Sequence, residues 1–141
     1  MDITQLDTET TAWRDRLLRT AWEAGVNPRA PQLYADFETT VEQYKQALAG
    51  DPELDVTNFR QMFGVVVGEY LRTELGMDWV IITDDYGTDL AIHATAPDGT
   101  PVYCCPVIVV GRRFDADYEP GQLENFCTRV IATSAAQLHR S

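Results

Sequence analysis

Two adjacent cysteines, Cys104 and Cys105, come just before a proline in the stretch VYCCPVIVVGRR. Paired thiols suggest a metal site or a redox site. On a β-strand, however, neighbouring side chains point to opposite faces, so these two sulfurs cannot bind one metal ion. The Cys-x-x-Cys spacing of zinc and redox sites is absent, and Cys127 is distant in sequence. We interpret the cysteines as small buried apolar residues and predict no metal and no cofactor.

A catalytic cysteine would need a histidine within hydrogen-bond reach and a further group to orient that histidine. The candidates are His93 with Cys104 or Cys105, and these residues meet only in some strand registers. No residue pattern supplies the orienting group. We therefore predict no catalytic residue. The alternative function is a small-molecule binder or hydrolase-like enzyme that uses a surface of His93, Tyr103 and Cys105.

Three aspartates, Asp84, Asp85 and Asp89, surround a predicted turn. Calcium loops have the alternation Asp-x-Asp-x-Asp-Gly, which is missing here. Aspartates also favour turns because their side chains hydrogen-bond to the nearby backbone, and Gly87 suits a position of positive φ. We interpret these carboxylates as turn residues.

Arg112 and Arg113 are the only adjacent pair of basic residues in the chain. Guanidinium groups bind anionic ligands, and they also form ion pairs with neighbouring carboxylates. Both interpretations stay open at this point. We include the two arginines among the candidate binding residues.

The charge of the chain excludes some classes of partner. Its 141 residues include 11 basic and 22 acidic residues, a formal net charge of -11. This charge repels phosphate backbones and anionic lipids, so we predict neither nucleic acid nor a membrane as partner. The acidity either promotes solubility, presents a surface to a basic partner or mimics nucleic acid. No signal-peptide pattern and no run of about 18 apolar residues is present, so we expect a cytoplasmic protein with reduced thiols.

Apolar residues recur at helical spacing in four segments. The first predicted helix spans residues 7 to 24, and the second runs from Pro31 to Gly50. The third starts at Thr57 or Asn58 and stops at Gly76, and the fourth begins after Pro120-Gly121. In the third helix, Gly64 and Gly68 lie on one side, which indicates close packing of a neighbouring element. Charged residues interrupt its apolar run, so a membrane helix is not predicted.

From Met77 onward the apolar period changes to two, which predicts strands over residues 78–83, 88–95 and 102–105. If each hairpin has a three-residue loop with its glycine last, Asp84 pairs with Thr88 and Ala96 with Thr100. The face packed on the helices is then predicted to carry Val80, Ile82, Leu90, Ile92, Ala94, Val102 and Cys104. The other face is predicted to carry Trp79, Ile81, Ala91, His93, Tyr103 and Cys105.

This register places Trp79 opposite His93, and His93 opposite Tyr103. The three rings would then form a cluster on the second face of the sheet. Either a further helix covers them as packing residues, or they form a shallow surface that binds a ligand or partner.

Part of the chain resembles a known family. The string from Trp79 to Ile92, WVIITDDYGTDLAI, is followed by Val102 and by the pattern Pro106-x-x-x-Val-x-Arg-Arg113. Together they resemble a family of small bacterial α+β proteins catalogued as a domain of unknown function, number 3806 of that series, over roughly residues 60–135. The resemblance implies an α+β fold and a short helix that starts at Pro106, and it implies no catalytic residue. The β-branched run of residues 107–110 favours a strand, but proline suits a helix start, and we predict the helix.

The predicted class is α+β, with amino-terminal helices, a three-stranded antiparallel β-meander and a carboxy-terminal helix. We expect one domain over residues 1–141, in which a helical hairpin of residues 1–50 packs on an α+β core of residues 55–139. The chain lacks every strong catalytic signature, so we predict a non-enzymatic module that binds another protein or itself as a homodimer. The candidate ligand- or partner-binding residues are Trp79, His93, Tyr103, Arg112 and Arg113.

Overall fold

The computed structural model describes residues 1–114 and 117–139 of the chain. Helices pack on an antiparallel sheet, which confirms the predicted α+β class. In chain order the elements are β1 (Asp2–Gln5), α1 (Thr8–Glu23), α2 (Gln32–Gly50), α3 (Thr57–Leu75), β2 (Asp78–Asp84), β3 (Gly87–Thr95), β4 (Pro101–Cys104), α4 (Pro106–Arg113) and α5 (Gln122–Leu138).

The helix boundaries follow local signals in the sequence. The side chain of Asp7 caps α1 by accepting a hydrogen bond of 2.7 Å from the backbone N–H of Thr10. Gly76 ends α3 in the left-handed conformation, with φ of 64°. The short helix implied at Pro106 is also present, with the proline in its first turn, where a missing N–H costs nothing.

The sheet has four strands in the order β1-β2-β3-β4, one more than predicted. The additional strand, β1, pairs antiparallel with β2. Of its four residues only Ile3 is apolar, so no period of two marks it in the sequence. Its conformation depends on pairing with β2, which a local pattern does not reveal.

The second hairpin has the predicted register, in which His93 lies opposite Tyr103. In the first hairpin the prediction is wrong. Its loop has two residues, so Asp84 pairs with Gly87 and Trp79 lies opposite Ile92 instead of His93. The Asp84 side chain supports this tighter turn by accepting a hydrogen bond of 2.8 Å from the backbone N–H of Tyr86.

A shift of one residue reverses the faces of the whole strand. Trp79 therefore belongs to the main core with Ile92 and Val102, on the side of the sheet that α3, α4 and α5 cover. Val80 and Ile82 point to the other face. They form a separate small cluster to which no residue of a described helix belongs, and whose members are Val80, Ile82, Ala91, Ile3 and Cys105.

The main core is centred on α3, in which every residue from Met62 to Gly68 is buried. Gly64 and Gly68 face α4 and the sheet, and a Cβ atom at Gly64 would lie 2.6 Å from the Cα of Val107. The predicted close packing at these two glycines is confirmed. The first two helices contribute to the same cluster through Ala21, Leu33, Phe37 and Val41. Within the described ranges, no helix is long and apolar enough to cross a bilayer.

A polar contact ties α3 to the start of β2. The Glu69 carboxylate accepts hydrogen bonds from the Arg72 guanidinium at 2.5 and 3.0 Å and from the Trp79 indole N–H at 2.7 Å. These contacts, the Arg72 hydrogen bonds above all, lower the pKa of Glu69 although partial burial opposes the shift.

Glu69→Gln is expected to lower the free energy of unfolding at pH 7 by about 1 kcal/mol, a figure reduced for the solvent screening of partly exposed groups. Because the folded-state pKa is depressed, the carboxylate stabilises the fold above its ordinary pKa of 4.5 and loses this effect as the pH falls through the folded value. Urea unfolding between pH 3 and pH 7 measures this. The difference from the wild type should shrink in acid, and Glu74→Gln, exposed on the same helix, should change little; a constant difference would contradict the assignment.

Candidate functional site

The structure separates the predicted aromatic cluster. Trp79 is 8% exposed on the helix-covered side of the sheet, where its indole is hydrogen-bonded to Glu69. His93 and Tyr103 pair on the opposite face. The cluster of Trp79, His93 and Tyr103 therefore does not form, because the shorter loop shifts the register of β2 by one residue and places the Trp79 side chain on the other face of the sheet.

Tyr103 occupies a distinctive place on β4, the last strand of the sheet. Its side chain is 46% exposed. The backbone N–H of Ala96 donates to the carbonyl of Thr100 at 2.8 Å, so the Ala96–Thr100 pair is hydrogen-bonded. Hydrogen-bonded and non-hydrogen-bonded pairs alternate along antiparallel strands. The His93–Tyr103 pair lies three pairs beyond Ala96–Thr100, so it is a non-hydrogen-bonded pair. The N–H and C=O of Tyr103 thus point away from β3, towards the outer edge of the sheet.

A groove lies along this edge, between β4 and α5, with a volume of about 610 Å³. We call it the β4–α5 groove. Its walls combine apolar and small polar side chains, and the residues that line it are Val102, Tyr103, Cys104, Cys105, Val109, Phe126, Arg129, Val130, Thr133, Ser134 and Gln137. The outer edge of β4, the partly buried Phe126 ring and an apolar wall of α5 therefore meet in one concave surface.

A second, more polar groove of about 400 Å³ adjoins the first at the start of α5. Three arginines line it, namely Arg112 and Arg113 from α4 and Arg129 from α5, and the other lining residues are Asp117, Gln122 and Asn125. We call it the arginine groove. Arg129 lines both grooves.

The guanidinium of Arg113 stacks over the Phe126 ring at 4.7 Å from its centroid, which joins the two grooves and orients this cation. The ion pairs found between described residues, Arg14–Asp15 and Arg72–Glu69, lie elsewhere. The arginine pair noted in the sequence therefore lines a groove together with a third arginine, Arg129. Sequence reasoning missed Arg129, which stands alone in its segment.

Contacts from α2 fix the loop that leads into α5. The Glu38 carboxylate accepts a hydrogen bond of 2.6 Å from the N–H of Gly121 and one of 3.3 Å from the hydroxyl of Tyr118. The Tyr118 hydroxyl accepts in turn from the N–H of Leu123 at 3.3 Å, and Lys45 donates to the Tyr118 carbonyl. The start of α5, and with it one wall of both grooves, is thereby held in place.

The two adjacent cysteines point to different sides, as predicted. Cys104 packs against the main core, whereas Cys105 packs against the small cluster on the other face. Burial raises the pKa of Cys104 to about 11. The pKa of Cys105 is also raised, first by burial and then by the carboxylates of Asp89 and Asp84. Both side chains are therefore thiols at neutral pH, a state of low nucleophilicity and weak metal affinity.

Asp84 serves the first turn, as predicted, whereas Asp89 lies within β3, and Gly87 has a positive φ of 134°. Among residues 1–114 and 117–139, no group of three or more His, Cys, Asp and Glu side chains is placed to bind a metal ion.

The fold and the grooves define an α+β protein whose antiparallel sheet is covered by helices on one side and has β4 as its edge strand beside α5. The chain matches the family described as "Domain of unknown function (DUF3806)" over residues 36–126, more than half of its length, and it belongs to that family. The match confirms the resemblance and extends from α2 into the first part of α5. No curated protein and no solved structure matches the chain.

Proposed function

We propose that this chain is a non-enzymatic protein-binding module that takes an extended segment of a partner protein into the β4–α5 groove. The segment lies alongside β4 and adds a strand to the sheet. This proposal rests on one observation above all, the outward direction of the Tyr103 N–H and C=O at the edge of a concave surface. Strand addition to an open sheet edge is a recurrent mode of peptide recognition, in which backbone hydrogen bonds supply affinity and alternate side chains supply specificity.

The dimensions of the surface suit such a segment. Residues Gln122 to Gln137 of α5 line the two grooves together. At a helical rise of 1.5 Å per residue they extend over about 22 Å. An extended chain advances about 3.3 Å per residue, so about six or seven partner residues fit along this length.

The side chains around the groove suit a peptide better than a reaction. Phe126 offers aromatic surface of the kind that dominates the energetics of protein interfaces. The two cysteines that line the groove, Cys104 and Cys105, both have raised thiol pKa values. We therefore do not propose the hydrolase-like alternative based on His93, Tyr103 and Cys105.

The remaining features of the proposal follow from charge and composition. We propose that the module acts in the cytoplasm as one domain over residues 1–141, and that its partner is another protein or a second copy of itself. The net charge of -11 disfavours nucleic acid as a partner.

A pair of substitutions at one position tests strand addition. Linear peptides are first selected against the protein from a random display library, and their affinities are measured by calorimetry. Tyr103→Ala removes the ring and retains the N–H, whereas Tyr103→Pro removes both. Because this N–H points away from β3, proline there removes no hydrogen bond of the free sheet, and the fold should be retained.

Tyr103→Pro is expected to weaken peptide binding about tenfold more than Tyr103→Ala, the effect of losing one backbone hydrogen bond. Val102→Pro serves as the matched control, since the N–H of Val102 pairs with β3 and its loss should destabilise the fold itself. Equal affinities for the two Tyr103 variants would show that peptides do not pair with this edge.

A further inference from the structure

We propose that the arginine groove binds a phosphoryl group on the partner segment, so that the module selects a phosphorylated peptide. This inference rests on the proposed function for the position of the peptide, but the phosphoryl site has its own evidence. Three arginines line one groove of a chain that has 22 acidic and 11 basic residues. Mutual repulsion of the three cations is relieved when an anion binds between them.

The charge in the groove matches a phosphate dianion better than a carboxylate. The described lining has three arginines and one aspartate, Asp117, which leaves a formal charge of +2. A phosphorylated serine or threonine has a charge of about -1.5 to -2 at neutral pH, whereas one carboxylate needs only one arginine. The forked guanidinium groups match the geometry of phosphate oxygens, and the side-chain amides of Gln122 and Asn125 offer further donors.

The anion is held by side chains and not by the start of α5. The N–H of Gly121 already donates to Glu38 at 2.6 Å, and that of Leu123 donates to the Tyr118 hydroxyl at 3.3 Å. Arg113 is oriented by its stacking on Phe126. Arg112 and Arg129 are exposed, so they can turn towards a ligand without disturbing the core.

The phosphoryl group belongs to a peptide because the two grooves adjoin: Arg129 lines both, and Arg113 of one contacts Phe126 of the other. The arginine groove is lined by α5 residues from Gln122 to Arg129, and the β4–α5 groove by α5 residues from Phe126 to Gln137. A peptide that lies along α5 therefore passes from one groove into the other.

Three degenerate peptide libraries, identical except for a central phosphoserine, serine or glutamate, test this inference by fluorescence anisotropy with the full chain. The phosphoserine library is expected to bind at least tenfold more tightly than the serine library, and the glutamate library should fall between them. Arg112→Ala and Arg129→Ala are each expected to reduce phosphoserine binding about tenfold. Arg19→Ala, an exposed arginine of α1, makes the same change in net charge and should leave binding unchanged.

The outcomes separate the two proposals. Equal binding of the phosphoserine and serine libraries, still sensitive to Tyr103→Pro, would overturn the phosphoryl site and leave strand addition standing. Phosphoserine-dependent binding that needs Arg112 and Arg129 but not the Tyr103 backbone would support the phosphoryl site and overturn strand addition. Inorganic phosphate at millimolar concentration should compete with the phosphoserine library. Binding to vesicles with anionic phospholipid in place of the phosphopeptide would overturn the peptide assignment in favour of a lipid headgroup.

Discussion

Gly64→Ala is expected to lower the free energy of unfolding by about 3 kcal/mol, at the upper end of the usual cost of overpacking a core. Alanine normally stabilises a helix relative to glycine by about 1 kcal/mol, so the expected sign is the opposite of the helix propensity. The reason is that the new methyl group would lie 2.6 Å from the Cα of Val107, a backbone atom that cannot rotate away. Helices α3 and α4 would have to separate.

Gly50→Ala is the matched control for this prediction. Gly50 is the last residue of α2, it does not have a positive φ, and a Cβ atom there meets no atom within 4 Å. The control should be neutral or slightly stabilising. Urea unfolding of both variants at pH 7 gives the comparison. Equal stabilities would mean that α4 does not pack against α3 at this glycine.

Phe37→Ala is expected to cost about 3–5 kcal/mol, the range for removing a fully buried phenylalanine. The Phe37 ring is fully buried and makes edge contacts with Phe63, Phe114 and Tyr118, at centroid distances of 5.2, 5.7 and 5.2 Å. These contacts join α2 to α3 and to the segment between α4 and α5. The loss would be a large fraction of the stability of a typical domain, about 5–15 kcal/mol.

Tyr86→Ala provides the comparison for Phe37→Ala. The Tyr86 side chain is 99% exposed at the tip of the first hairpin, and its removal should change the free energy of unfolding by less than about 0.5 kcal/mol. Thermal unfolding followed by circular dichroism measures both variants. A loss below about 1 kcal/mol for Phe37→Ala would contradict the central place of this ring in the core.

The helices could be predicted from the sequence because their signals are local. Apolar stripes, the cap at Asp7 and the stop at Gly76 lie within the segments that they define. The helix at Pro106 needed the family resemblance, since its β-branched residues alone favour a strand. There the proline start and the packing of Val107 against Gly64 outweigh local propensity.

The register of β2 could not be predicted, because the segment from Asp84 to Gly87 is compatible with loops of either two or three residues. Asp84 and Gly87 are turn residues in both cases. The difference of one residue moved Trp79 from a predicted binding surface into the core. The Trp79 indole packs directly against Gly68 of α3 in the observed register, a long-range contact that a local pattern does not reveal.

Part of the lining of the two grooves was identified from the sequence. Tyr103, Arg112 and Arg113 were identified from the sequence and line the grooves, whereas Arg129 and the α5 wall were not. A single sequence indicates that α5 is amphipathic, but it does not indicate which strand edge the helix adjoins. His93 of β3 lies opposite Tyr103 of β4, as predicted.

The exchange rate of the Tyr103 amide hydrogen, followed by NMR, tests strand addition most directly. In the free protein this amide should exchange faster than those of Val102 and Cys104, whose N–H groups point towards β3. Saturation with a selected peptide is expected to slow exchange at Tyr103 at least tenfold, because the N–H then donates to the added strand. A peptide that binds tightly while the Tyr103 amide exchanges as fast as before would contradict the proposal.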